Sequence, residues 1–169
     1  MDYASAIQWL YAKLPMYQRV GKAALNPKLD GITELIRHFG YPDQKFKSIH
    51  IAGTNGKGSS AHMLASILQE AGYKVGLYTS PHLKDFSERI RINGVSIEQD
   101  YILDFVFSHR TYLEQQDFSF FEMTVGLAFD YFANKQVDVA VIEVGLGGRL
   151  DATNIITPEA CLITNIAID

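Results

Sequence analysis

At 169 residues with 47% apolar side chains, the chain has the length of one ordinary domain and enough apolar content for a substantial core. A formal charge of −4 without any basic cluster argues against a nucleic-acid-binding surface. Met1-Asp2 opens no export signal, no apolar run approaches the ~20 residues that span a bilayer, and a lone cysteine forms no intrachain disulfide, so a cytoplasmic enzyme is expected.

Tyr3, Ile7, Leu10, Tyr11 and Leu14 recur at helical spacing and predict an amphipathic helix over 2–14, closed by Pro15. Leu29, Ile32, Leu35, Ile36 and Phe39 predict a second helix, stopped by Gly40 and Pro42. The intervening stretch, Gly21 to Lys28, reads equally as plain connection or as a substrate edge.

The stretch around which the chain is organised runs from Lys47 to Ser60. Lys47 to Ala52 is a short apolar strand, and Ala61, Leu64, Ala65 and Leu68 lie on one face of a helix stopped by Gly72. Between them, Gly53, Gly56 and Gly58 let the backbone approach a ligand with its N–H groups, and the helix dipole favours negative charge there. Lys57 adds a mobile cation, and Ser59 and Ser60 bring hydroxyls of the kind that reach a phosphate-bound Mg²⁺. The spacing departs from the common P-loop, with Ile51 where its first glycine would stand and Gly58 after the lysine. The loop therefore reads as a shortened phosphate cradle.

Lys74 to Thr79 predicts a second strand, parallel to the first because a helix joins them. It opens into the polar loop Ser80 to Arg89 on the same edge as the cradle, where ligands of such sheets collect. Arg89 to Ile97 alternates about Asn93-Gly94, a hairpin signal. A helix starting at Glu98-Gln99-Asp100 should face the body of the domain with Ile102, Leu103, Phe105 and Val106. A further helix over 120–134 is apolar enough to be largely buried. Phe118 to Phe121 at its start reads as core or as a stacking platform, and Glu122 as a ligand or as dipole compensation.

Val137 to Ile142 reads as a parallel strand covered on both faces, and Glu143 at its end is a candidate metal ligand or a carboxylate satisfied by loop N–H groups. Gly145, Gly147 and Gly148 then permit a tight turn expected to display Arg149 and Asp151. Ala160 to Thr164 predicts one more strand, with Cys161 packed in the core rather than acting as a nucleophile. The order of elements predicts an α/β fold with a mostly parallel sheet flanked by helices.

Four stretches together resemble the folylpolyglutamate synthase/dihydrofolate synthase family: His50 to Ser59, Tyr78 to Leu83, Phe120 to Glu122, and Ile142 to Asn154. The first alone is similar to Mur-type ATP-dependent amide ligases in general, and the others single out the folate branch. The resemblance covers essentially the whole chain. It implies a P-loop-type ATPase domain of Mur-type ligases, with residues 1–169 as its amino-terminal portion and the carboxy-terminal glutamate-ligase domain absent.

Position by position, the resemblance implies that Thr54, Asn55, Gly56, Lys57, Gly58 and Ser59 hold the ATP phosphates, with Lys57 and Glu143 as catalytic groups. It implies Ser80 and Glu143 as Mg²⁺ ligands. It places the pterin against Asn26, Pro27, Ser119, Phe120, Phe121, Glu122, Leu150, Asp151 and Ala152. The activity implied is ATP-dependent addition of L-glutamate to dihydropteroate or reduced folates through an acyl phosphate, by an enzyme that is monomeric as a whole. The family's magnesium-binding histidine and supporting lysine would follow Ile166-Ala167-Ile168-Asp169, so this chain alone is expected not to ligate. A Mur-type ligase for another carboxylate and a nucleotide-binding module without catalysis are the alternatives.

Overall fold

In the computed structural model the described residues are 2–12 and 29–167, and alternation within the central strands sets their layering. The strands are β1 (Lys47–Ala52), β2 (Val75–Tyr78), β3 (Ile90–Ile92), β4 (Val95–Ser96), β5 (Val139–Glu143) and β6 (Ala160–Ile163). They form one sheet in the order β4-β3-β2-β5-β1-β6. β2, β5, β1 and β6 are parallel, and β3 and β4 extend the sheet as an antiparallel hairpin. The α-helices among the described residues are α1 (Tyr3–Ala12), α2 (Asp30–His38), α3 (Lys57–Glu70), α4 (Gln99–Gln115) and α5 (Phe120–Asn134).

Successive strand residues face opposite sides of a sheet, so each covered strand serves two cores. Ile51, Val75, Leu77, Val139 and Val141 pack with Ala61 and Ala65 of α3. Tyr78, Ala140 and Ile142 join the larger core built with α1, α2, α4 and α5. α5 packs directly on the sheet: a Cβ on Gly76 would come within 2.9 Å of the Phe132 ring.

β1 and α5 have their expected bounds, and the hairpin turns at Asn93-Gly94 with φ of 47° and 77°, the left-handed pair of a type I′ turn. β1 and β2 are parallel as expected, with β5 inserted between them. The expected end of the first helix at Pro15 and the loop 21–28 lie outside the described residues. No helix among the described residues is long and apolar enough to cross a membrane.

One expectation about the strands is overturned. Cys161 is exposed, not core, as is the whole of β6. Its apolar run matches that of a two-faced central strand, yet among the described residues β6 pairs only with β1 and stands at the sheet edge. Sequence pattern alone does not separate the two positions.

Candidate functional site

The parallel strands end together, with Ile51 beside Glu143 and Tyr78 beside Ile142, so the loops after β1, β5 and β2 share one edge. The first of these enters α3 at Gly56, an N-cap with φ of 81° and no side-chain cap. The first intrahelical bond is Ser60 N–H to Gly56 O, 2.9 Å. Helix geometry therefore leaves the N–H groups of Lys57, Gly58 and Ser59 without an intrahelical acceptor, at the positive end of the dipole. Lys57 is half-buried and folds back over the loop, its Nζ donating to Gly53 O at 2.8 Å and Thr54 O at 3.2 Å.

The two residues before Gly56 are bonded differently. Thr54 N–H donates to Asn165 O at 2.8 Å and Asn55 N–H to Asn165 Oδ1 at 2.9 Å. Thr164 Oγ1 donates to Asn55 O at 2.7 Å. Gly53 also has another reason than the one expected of it. A Cβ there would sit 2.1 Å from Thr164 Oγ1 and 2.9 Å from Asn165 O, so its bareness makes room for this segment.

Glu143 is buried, and its Oε2 accepts the Ser80 N–H at 3.0 Å. Its Oε1 faces Gly58, 3.5 Å from where a Cβ would lie. Burial pushes the carboxyl above the usual carboxylate range, against the pull of the Ser80 N–H, Lys57 and His62. One oxygen is thus satisfied by loop backbone, as the second reading of Glu143 expects, while the other lies toward Gly58 of the cradle. Among the described residues no three His, Cys, Asp or Glu side chains gather as a metal cage. One carboxylate with a neighbouring hydroxyl at Ser80 is an oxygen donor set of the kind that holds Mg²⁺ together with phosphate oxygens.

The second glycine loop, after β5, is closed from within. Asp151, expected on display, is 7% exposed and accepts N–H groups from Gly145 (3.0 Å), Leu146 (2.9 Å) and Thr153 (3.0 Å). Three buried or half-buried donors converging on one carboxylate outweigh the solvation it would gain by turning outward. The Thr153 hydroxyl also donates to Asp151 Oδ1, which leaves its lone pair to the Nε2–H of His50 at 2.8 Å. Burial lowers the His50 pKa, the Asp151 charge opposing this, in keeping with a neutral ring. Ala152 is buried as well, so of the 150–152 stretch only Leu150 is exposed; Arg149 is exposed as expected.

At the start of α5, Ser119 Oγ accepts the Glu122 N–H (3.2 Å) and Glu122 Oε2 accepts the Ser119 N–H (2.8 Å), a reciprocal cap. Glu122 is therefore held as a capping group, buried against Gly31, where a Cβ would meet its Oε1 at 2.4 Å. Phe118 and Phe120 are core. Phe121 is half-buried and lies over Gly145, whose Cβ would reach its Cζ at 2.5 Å. The fold thus gathers Lys57, Gly58, Ser80 and Glu143, with Phe121 and the second glycine loop alongside. Asn26 and Pro27 lie outside the described residues.

Sequence reasoning missed how the loop after β2 is fastened. The Arg89 Nε–H donates to His82 Nδ1 at 2.8 Å, which makes Nδ1 the acceptor and assigns the ring proton to Nε2, 3.0 Å from Tyr11 Oη. Tyr3 Oη donates to Asp85 at 3.0 Å. α1 thereby ties down the loop that begins at Ser80, through contacts between residues far apart in the chain that no local spacing announces. Asn165 was missed for the same reason.

The Mur ligase middle domain model matches residues 51–169. The dihydrofolate synthase/folylpolyglutamate synthase of Bacillus subtilis (strain 168) is 37% identical over 174 residues, covering 99% of this chain and 39% of that protein. The crystal structure of a folylpolyglutamate synthase from Thermotoga maritima superposes with a TM-score of 0.88 at 41% identity, over 98% of this chain and 38% of its own. An FPGS–AMPPCP–folate complex gives 0.89 at 38% identity, over 100% and 41%. The chain spans about two fifths of the length of these relatives.

Proposed function

Since the chain belongs to the Mur ligase middle-domain family, in its folylpolyglutamate synthase/dihydrofolate synthase branch, we propose that it forms the amino-terminal, ATP-binding portion of an enzyme adding L-glutamate to dihydropteroate or reduced folates. The observation that carries this reading is the conjunction at one sheet edge of helix N–H groups with no intrahelical acceptor, Lys57 and the buried Glu143 tied to Ser80.

In this reading the N–H groups of Lys57, Gly58 and Ser59 orient the nucleotide phosphates, and Lys57, held by the carbonyls of Gly53 and Thr54, turns its third ammonium N–H to the outer phosphate oxygens. Glu143 and Ser80 would hold Mg²⁺, which when bound neutralises charge on the transferring phosphoryl group. The substrate carboxylate attacks the γ-phosphorus, ADP leaves, and the glutamate amine then displaces phosphate from the acyl phosphate to form the amide. Phe121 and Leu150 offer apolar surface beside the cradle to the flat pterin ring. A relative bound with AMPPCP and folate supports this pairing of ligands. A cytoplasmic, monomeric enzyme belongs to the same reading.

Nucleotide binding is assigned to this chain and ligation to the whole enzyme. Titration calorimetry of the chain with Mg-AMPPCP is expected to show one site. Incubation with MgATP, L-glutamate and dihydropteroate or tetrahydrofolate is expected to yield no glutamylated product by mass from this chain alone. Absence of nucleotide binding would overturn the first assignment, and a glutamylated product the second.

A further inference from the structure

The bonds at the cradle pair up across two peptide groups. Gly53 O and Thr54 N–H belong to one peptide plane, and Thr54 O and Asn55 N–H to the next. The two carbonyl ends accept Lys57 Nζ at 2.8 and 3.2 Å. The two N–H ends donate to Asn165, one to its backbone O at 2.8 Å and one to its side-chain Oδ1 at 2.9 Å. In a planar trans peptide the N–H and C=O point in opposite directions. Whatever grips the N–H ends therefore aims the carbonyl ends at the lysine.

We propose that Asn165, on the segment that leaves β6, is the positioning residue of the phosphate cradle. It locks the Gly53–Thr54 and Thr54–Asn55 peptide planes so that their carbonyls hold Lys57 in place, and it reserves the N–H groups of Lys57, Gly58 and Ser59 for phosphate. The proposal rests on the nucleotide-binding reading above.

The surroundings favour this specific role over incidental packing. Asn165 is exposed, as is Ile166 at 84%, so burial does not hold the segment in place. Polar contacts do so instead. Thr164 Oγ1 donates to Asn55 O, and Ala167 N–H donates to Thr54 Oγ1 at 3.1 Å. Gly53 lacks the Cβ that would drive Thr164 and Asn165 away. A glycine-rich loop pays a large entropy to stay in one shape, and here the residues that fix it lie more than a hundred positions downstream. The strand-to-loop exit of β6 thus completes a loop that begins at β1, its neighbour in the sheet.

The test compares the wild-type chain with Asn165→Ala and Asn165→Asp, the latter keeping an acceptor at Oδ1. Amide hydrogen exchange by NMR is read without nucleotide, and the affinities of Mg-AMPPCP and Mg-ADP are read by calorimetry. In Asn165→Ala the Asn55 amide is expected to exchange about tenfold faster, the loss of one hydrogen bond. Asn165→Asp restores its protection. Because Lys57 serves the outermost phosphate, AMPPCP affinity falls roughly five- to tenfold in Asn165→Ala while ADP affinity moves less than about twofold. Unchanged Asn55 exchange, or an equal loss for both nucleotides accompanied by a lower melting temperature, would overturn the proposal. If the wild-type chain binds neither nucleotide, the functional reading falls, and the exchange comparison alone upholds or overturns the peptide lock.

Discussion

The loops that follow β1 and β5 leave the same sheet edge, are rich in glycine, and are satisfied in opposite ways. The loop after β5 carries its own acceptor: Asp151 takes the N–H groups of Gly145, Leu146 and Thr153 inward. The loop after β1 has no such carboxylate. Its early N–H groups are held by Asn165, just past the neighbouring strand β6, and those of Lys57, Gly58 and Ser59 have neither an intrahelical acceptor nor a side-chain cap. Glycine content reports conformational freedom in both. The placement of the acceptor decides which loop is a closed scaffold and which is open to an anion.

The sharpest way to break this contrast is Asp151→Ala. It strands three backbone N–H groups and the Thr153 hydroxyl where solvent reaches them poorly, at a cost on the order of 3–5 kcal/mol. For a chain of this size the melting temperature should drop by about 10 °C. Calorimetry that finds the transition unmoved would show that the loop does not depend on its own carboxylate.

Next in size is Gly53→Ala. The new methyl would lie 2.1 Å from Thr164 Oγ1 and against the Asn165 backbone, at a φ of 130° that L side chains rarely adopt. A loss of about 2–3 kcal/mol in denaturant unfolding is expected, together with weakened nucleotide binding. Lys57→Ala should separate the two effects. It removes the cation and two hydrogen bonds to exposed or half-exposed carbonyls, so stability changes by less than about 1 kcal/mol while AMPPCP affinity falls at least about tenfold. Equal binding by the two proteins in calorimetry would remove Lys57 from the phosphate site.

Legibility in the sequence follows the range of the interactions concerned. β1 and α5 could be bounded because their signals are local: a short apolar run stopped by a glycine turn, and a dense apolar stretch of helical length. The strand-end carboxylate Glu143 could be picked out because an acid at the end of a buried β-run beside a phosphate loop is a recurring arrangement, and the fold does bring it to the Ser80 loop. Cys161 was misplaced because an edge strand of Ala, Cys, Leu and Ile has the composition of a central one. Asp151 was misread because only the folded loop shows its donors converging. Asn165, His82 with Arg89, and Tyr11 act through contacts 7 to 111 positions apart, and no spacing pattern in the sequence marks them.

The smallest expected effect tests whether the two loops are coupled. His50 stands on β1, which leads into the open loop, while its ring bonds to Thr153 of the closed one. Burial holds its pKa below the ordinary value of 6.5, so the folded chain keeps the ring neutral where the unfolded chain takes up a proton. Stability is therefore full above pH 6.5 and declines as pH falls through that value toward the lower folded pKa, by at most about 1.4 kcal/mol per pH unit. His82 and His109 are shifted in the same direction, so the wild-type slope alone does not identify His50. The difference between wild type and His50→Gln does. Denaturant midpoints measured from pH 8 to about 5 should fall less steeply in the variant. Identical slopes would mean that the imidazole titrates alike in both states, and that the bond joining β1 to the Asp151 network does not depend on a neutral ring.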